Sequence, residues 1–170
     1  MKNLSWIFLI LFLSPMGVSN REAEHEAYLL DEYSWTSDKI EILADVSVEL
    51  RVIIFNAIKD LNRDDRLWIL SHVFAESSFN ADAIGDNGRS FGLGQIQIPT
   101  ARFYLKKHIS KKLLLEPDFN VMALRIILDS LRDKFGCWEH TIVVYNAGRL
   151  IKNSRHLEKV IEIREQLIGA

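Results

Sequence analysis

The spacing of apolar residues predicts a helical chain. From Leu50 they recur at three and four, so Leu50, Ile53, Ile54, Ala57, Ile58 and Leu61 mark one buried helix face. Asn62-Arg63-Asp64-Asp65 breaks that helix and supplies acidic residues for the next N-terminus, which predicts a second helix from about Asp64 to Ser77. Pro99-Thr100-Ala101 reads as a helix start, followed by Phe103 and Tyr104. Val121, Leu124, Ile127, Leu128, Leu131 and Phe135 form another stripe, capped by Asp118 or Asn120 and closed by Gly136. Trp138 to Asn146 is a further apolar helix ended by Ala147-Gly148, and Ser154 caps a last helix carrying Leu157, Val160, Ile161 and Leu167. Residues 20–47 read as an N-terminal extension. Its charged start, Arg21 to Glu26, is expected to fray once cleavage makes it the new N-terminus, while Trp35, Ile40, Ile42 and Leu43 dock on the body formed by residues 48–170.

The pattern before residue 20 is of another kind. Lys2 precedes an apolar run from Leu4 to Leu13, Pro15 breaks it, and Gly17-Val18-Ser19 places small residues at a cleavage position. This predicts a signal peptide over residues 1–19 and export to the periplasm or beyond. The run is short for a membrane span of about 20 apolar residues; an uncleaved anchor is the alternative, and with no cysteine near the cut a lipoprotein is not expected.

Composition narrows the function classes. With 170 residues, 48% of them hydrophobic, the chain suits one compact domain with a real core. A net charge of -2 with scattered basic residues gives no electrostatic case for nucleic acid. Lys106, Lys107 and His108 read as a solvated helix face. The single cysteine, Cys137, excludes an intrachain disulfide and reads as a small buried residue beside Phe135 and Trp138. The five histidines show no metal-ligand spacing and there is no HExxH, so neither a metal nor another cofactor is expected.

Candidate chemistry concentrates between Phe74 and Gln97. Glu76 follows Val73 by three and Ile69 by seven, on their helical stripe. A carboxyl shielded there would favour its neutral form and have a raised pKa, as a general acid requires. A glutamate at a helix end is otherwise most often turned to water. Gly85, Gly88, Gly92 and Gly94, four of the eight glycines within ten residues, predict tight turns or a short hairpin. Ser90, Gln95 and Gln97 offer neutral hydrogen-bonding groups suited to hydroxyls and amides. A phosphate loop is excluded by the absence of a GK[ST] element.

Three blocks carry a resemblance: Ala75-Glu76-Ser77-Ser78-Phe79-Asn80, Ser90-Phe91-Gly92-Leu93-Gly94-Gln95-Ile96 and Val144-Tyr145-Asn146-Ala147-Gly148. In this order they resemble the signature blocks of SLT-type lytic transglycosylases of the lysozyme superfamily, over about residues 48 to 150. The resemblance implies a mainly α, lysozyme-like catalytic domain with a short glycine-rich hairpin beside a cleft for peptidoglycan glycan strands. It implies Glu76 as catalytic acid/base, with Ser90, Gln95, Tyr145 and Asn146 binding substrate. The family pattern reads Gly-Leu-Met-Gln where Gly94 stands here, implying an altered sugar subsite.

A glycosidase commonly uses two carboxylates, whose separation sets the stereochemistry. Here one is well placed; Asp82 and Asp86 lie on a loop. The resemblance therefore implies cleavage of the MurNAc–GlcNAc β-1,4 bond by Glu76 alone, with closure of a 1,6-anhydro ring. If Asp86 positions a water, the site is instead that of a muramidase. An inactive peptidoglycan-binding module would be expected to lack the acid. A wall-opening helper of a secretion or conjugation machine, acting through a protein partner, is a further reading. A monomer without a membrane span after cleavage is expected.

Overall fold

The computed structural model describes residues 19–170, so the expected signal segment lies, but for Ser19, outside the described residues. Among these residues there are eight helices: α1 (Asn20–Leu43), α2 (Val48–Ile58), α3 (Arg63–Ser77), α4 (Ile98–Leu105), α5 (Lys111–Leu114), α6 (Pro117–Phe135), α7 (Trp138–Ala147) and α8 (Arg155–Gly169). Between α3 and α4 lie three two-residue strands, β1 (Ile84–Gly85), β2 (Ser90–Phe91) and β3 (Ile96–Gln97), paired antiparallel in that order. The fold is mainly α, with the glycine cluster forming the hairpin expected from its turns.

The core is built around α3. Asp65 through Val73 are all buried, so this helix is covered on every side rather than along one stripe. It packs most extensively on α8, while α6 packs on α2 and α7. Ile54, Ile58, Ile69, Leu70, Val73, Leu124, Ile127, Leu128 and Ile142 are wholly buried. Each such side chain contributes roughly 1.5–3 kcal/mol by leaving water. Seating α3 at the centre carries its last turn, and Glu76 with it, to the edge of the core.

Helix α1 is capped in the uncleaved chain. Ser19 accepts from the Glu22 backbone N–H while the Glu22 carboxylate accepts from Ser19 N–H at 2.8 Å, a reciprocal cap that holds the first turn. Cleavage after Ser19 would remove this cap. Further along, Glu32, Thr36, Ser37 and Ile40 are buried against the body, and Lys39 donates to the Leu167 carbonyl at 2.7 Å. Glu32 pairs with Arg66 of α3, whose guanidinium is wholly enclosed and also donates to the carbonyls of Ile58 and Lys59. Burial alone would raise the Glu32 carboxyl, but the hydrogen bond from Arg63 and the charge of Arg66 outweigh it and hold it below the usual range.

The start of α6 departs from expectation. The cap position is Glu116 with Pro117 in the first turn, and neither Asp118 nor Asn120 caps the helix. Asn120 lies inside α6, fully buried, and faces the hairpin. Cys137 is half-buried, at the cap position of α7.

Candidate active site

Glu76 ends the buried part of α3. The chain then turns sharply through Ser78 (φ 54°) and Phe79 (φ 60°), two left-handed residues in succession without a glycine. Such conformations are uncommon outside Gly, Asn and Asp. The turn survives because Ser78 N–H caps the Phe74 carbonyl at 2.9 Å and the Phe79 ring is buried against Phe74. The Glu76 side chain is left 13% exposed.

The hairpin forms the facing wall. Its register sets Gly85, Ser90 and Gln97 opposite one another in a row, while Phe91 and Ile96 form the adjacent row and enter the core. Asn120 fastens this hairpin to α6. Its Nδ2 donates to the carbonyls of Phe91 (2.9 Å) and Leu114 (2.6 Å), and its Oδ1 accepts from Gly94 N–H at 2.8 Å. Gly92 is required here, because a Cβ would fall 2.4 Å from Asn120 Nδ2 at a backbone φ of 72°. The missing side chain of Gly94 would point at Leu124, 3.0 Å away in the core, rather than into the cleft. A larger side chain at this position would therefore press on Leu124.

Helix α7 supplies the third wall. The Tyr145 hydroxyl donates to the Gly94 carbonyl at 2.6 Å, and Asn146 is exposed at the rim. Together these elements enclose a cleft of about 510 Å³ lined by Glu76, Asp86, Ser90, Gln95, Tyr145 and Asn146, among others. All five candidate site residues thus meet at one cavity, joined by Asp86. A more apolar groove of about 400 Å³, with Phe103, Tyr104 and Leu131, shares Thr100, Tyr145 and Gly148 with it.

Hydrogen bonding assigns the polar groups different tasks. Ser90 is buried and its hydroxyl donates to Asp86 at 2.5 Å; Gln97 donates to the same carboxylate at 3.3 Å. Both Gln95 amide hydrogens go to backbone, to Ala83 O and Gly92 O, leaving its oxygen as the uncommitted atom. Asp86 is held below the usual carboxylate range, first by Ser90 and then by Gln97. Glu76 is pushed the other way, from 4.5 to about 7, by burial above all; Lys159 partly offsets this and the charge of Asp86 adds to it. Two carboxyl groups on one cleft therefore differ in protonation near neutral pH, one able to give a proton and one ionised. Burial raises the Tyr145 phenol well above its ordinary value, so it stays a donor.

Sequence reasoning missed two neighbours of Glu76. His72, one turn earlier on α3, is wholly enclosed, and His156 arrives from the first turn of α8. His156 Nε2 lies 3.3 Å from both Glu76 Oε1 and His72 Nδ1. Burial, aided by His156, lowers the His72 pKa to about 3; burial and the nearby Lys159 lower that of His156 to about 4. Both rings are neutral at ordinary pH and offer Glu76 no cation to hold it ionised. The spacing of His72 four before Glu76 was the one available signal; His156 had none.

The Glu76 shift has a consequence for stability. The folded carboxyl binds its proton more tightly than the unfolded one, so native stability falls as pH rises from 4.5 through about 7. At about 1.4 kcal/mol per unit, the loss is on the order of 3 kcal/mol. Glu76→Gln should therefore be more stable than the native chain above this window, with the gain fading below pH 4.5. Urea unfolding of both proteins at the two extremes checks this; a pH-independent difference would refute the buried, protonated carboxyl.

A family model described as Transglycosylase SLT domain matches residues 55–164 of the chain. Among solved structures, the chain is similar to an inactive mutant of the lytic transglycosylase Slt from Pseudomonas aeruginosa, with a TM-score of 0.52 and 23% identity. That match covers 69% of this chain and 22% of the other, so the chain spans about a fifth of the length of that enzyme, and the likeness speaks to the fold. No curated protein matches the chain.

Proposed function

The chain belongs to the transglycosylase SLT domain family, and on that premise we propose that it is an exported peptidoglycan lytic transglycosylase with Glu76 as its single acid/base. The observation that carries this reading is a carboxyl held near neutral pH by burial, at the wall of a polar cleft shared with Tyr145, Gln95 and Asn146. Protonated Glu76 gives its proton to the glycosidic oxygen between MurNAc and GlcNAc as the C1–O bond breaks. The substrate's own N-acetyl group stabilises the cation developing at C1. Ionised Glu76 then takes the proton of the C6 hydroxyl, whose oxygen closes on C1 to give the 1,6-anhydro ring. Holding that hydroxyl against C1 gives it the advantage of effective concentration over water. The Gln95 oxygen and Asn146 are the uncommitted groups that receive sugar hydroxyls and amides, while Ser90 serves by holding Asp86. An extracytoplasmic location agrees with a cell-wall substrate, and among the described residues no helix is long and apolar enough to cross a membrane.

One observation favours a second reading. Asp86 lines the same cleft, ionised, where a hydrolase would keep the carboxylate that activates water or attacks the sugar. Product analysis separates the two. Digests of purified peptidoglycan should contain anhydro-muramoyl ends, lighter than hydrolytic ends by one water and lacking a reducing group. Asp86→Asn should leave that pattern unchanged, whatever its effect on rate. Reducing muramic acid ends that disappear with Asp86→Asn would make this a muramidase.

A further inference from the structure

We propose that His72, His156 and Glu76 form a binding site for a divalent cation of the zinc class, and that filling it removes the proton donor and stops glycan cleavage. The three side chains present ligand atoms lying within 4.8 Å of one another. Glu76 Oε1 is 3.3 Å from His156 Nε2 and 3.7 Å from His72 Nε2. Ligands about 2.0–2.1 Å from a tetrahedral zinc ion stand roughly 3.3–3.4 Å apart. Glu76 and His156 already stand at that spacing, and movement of the His72 ring that brings Nε2 toward them completes the site.

An independent feature supports the same site. His72 Nε2 is buried with no hydrogen-bond partner, and Glu76 Oε1 at 3.7 Å is beyond hydrogen-bond reach. Buried polar atoms are nearly always satisfied, so an orphan aimed at a carboxylate asks for an explanation. A cation between them supplies it.

The ligand chemistry selects the ion. Two imidazoles and one carboxylate suit zinc and its neighbours, whereas magnesium and calcium demand several oxygen ligands. Glu76 lines the cleft, which gives the ion an entry path and leaves its fourth position open to water. Opposing charge comes from Lys159 on α8, which donates to the Ala75 carbonyl at 2.7 Å, and supporting charge from Asp86 across the cleft. A carboxylate held by a cation has no proton to give, so the predicted consequence is reversible inhibition. The inhibition rests on the reading of Glu76 as the acid; the binding does not.

The test is equilibrium dialysis of the full-length protein against zinc chloride, with magnesium chloride in parallel and elemental analysis of the protein. One zinc per chain and no magnesium is expected. His156→Ala, at the more accessible ligand, should weaken zinc binding at least about tenfold while circular dichroism remains native. Glu76→Gln should weaken it as well. In the wild type, zinc should halt peptidoglycan solubilisation over the same concentration range, and a chelator should restore it. No saturable uptake, or uptake indifferent to His156→Ala, overturns the site. Saturable uptake without inhibition in an active enzyme overturns the regulatory consequence. A protein with no glycan-cleaving activity at all refutes the function proposed above, while the dialysis still decides the site.

Discussion

Glu76→Gln is expected to lower the cleavage of purified peptidoglycan by roughly 10²–10⁴-fold, and further if one group serves in both proton transfers. Glutamine keeps the size of the side chain and accepts or donates hydrogen bonds, but it has no proton to deliver. The cleft should persist, because Glu76 forms none of the hydrogen bonds that fasten the hairpin to α6 or α7. Binding of glycan strands by the variant should therefore remain close to that of the native chain. Near-normal turnover would remove Glu76 from the mechanism. The activity of the native protein should also decline as pH rises through about 7, where the acid loses its proton.

Glu32→Ala should be the most damaging substitution far from the cleft, at roughly 3–5 kcal/mol, because it strands a buried cation. Arg66 is 1% exposed, and its remaining partners, the carbonyls of Ile58 and Lys59, carry no net charge. Arg63 loses one of its two acidic partners in the same change but retains Asp31. Chemical unfolding at neutral pH measures the loss, and a cost below about 1 kcal/mol would place the pair among ordinary surface bridges. Glu32 lies on α1, ahead of the residues matched by the family model. A chain cut back to that match would bury Arg66 without its acid, so α1 belongs to the same cooperative unit as the cleft.

Helix existence was legible in the sequence wherever apolar residues recur at three and four, as in α2 and α6. The closing glycines, Gly136 and Gly148, marked ends correctly because a left-handed cap needs no tertiary partner. Asn120 was misread for the opposite reason. A small amide near a proline has a local use as a cap, and its actual use depends on a hairpin some 26 residues away in sequence. Arg66, His72 and Ser71 were invisible as interior residues, since polar residues on a helix signal solvent unless something enclosing them is known. The reciprocal cap at the start of α1 was overlooked, although Ser19 and Glu22 stand at its spacing. The candidate site gathered because its residues sit in three short blocks; Asp86 lay between two of them, and its loop position hid the hydrogen bonds that aim it.

The bond from Tyr145 to the Gly94 carbonyl joins two walls that belong to distant parts of the chain. Asn120 joins the hairpin to α6 in the same manner, with two more bonds. These walls therefore acquire their separation as the protein folds, before any ligand arrives. Ordering a mobile side chain at an interface costs roughly 0.5–1.5 kcal/mol. The cleft is preorganised in that sense, so under the function proposed above the energy of each contact with a sugar would remain available for distorting the ring and aligning its C6 hydroxyl.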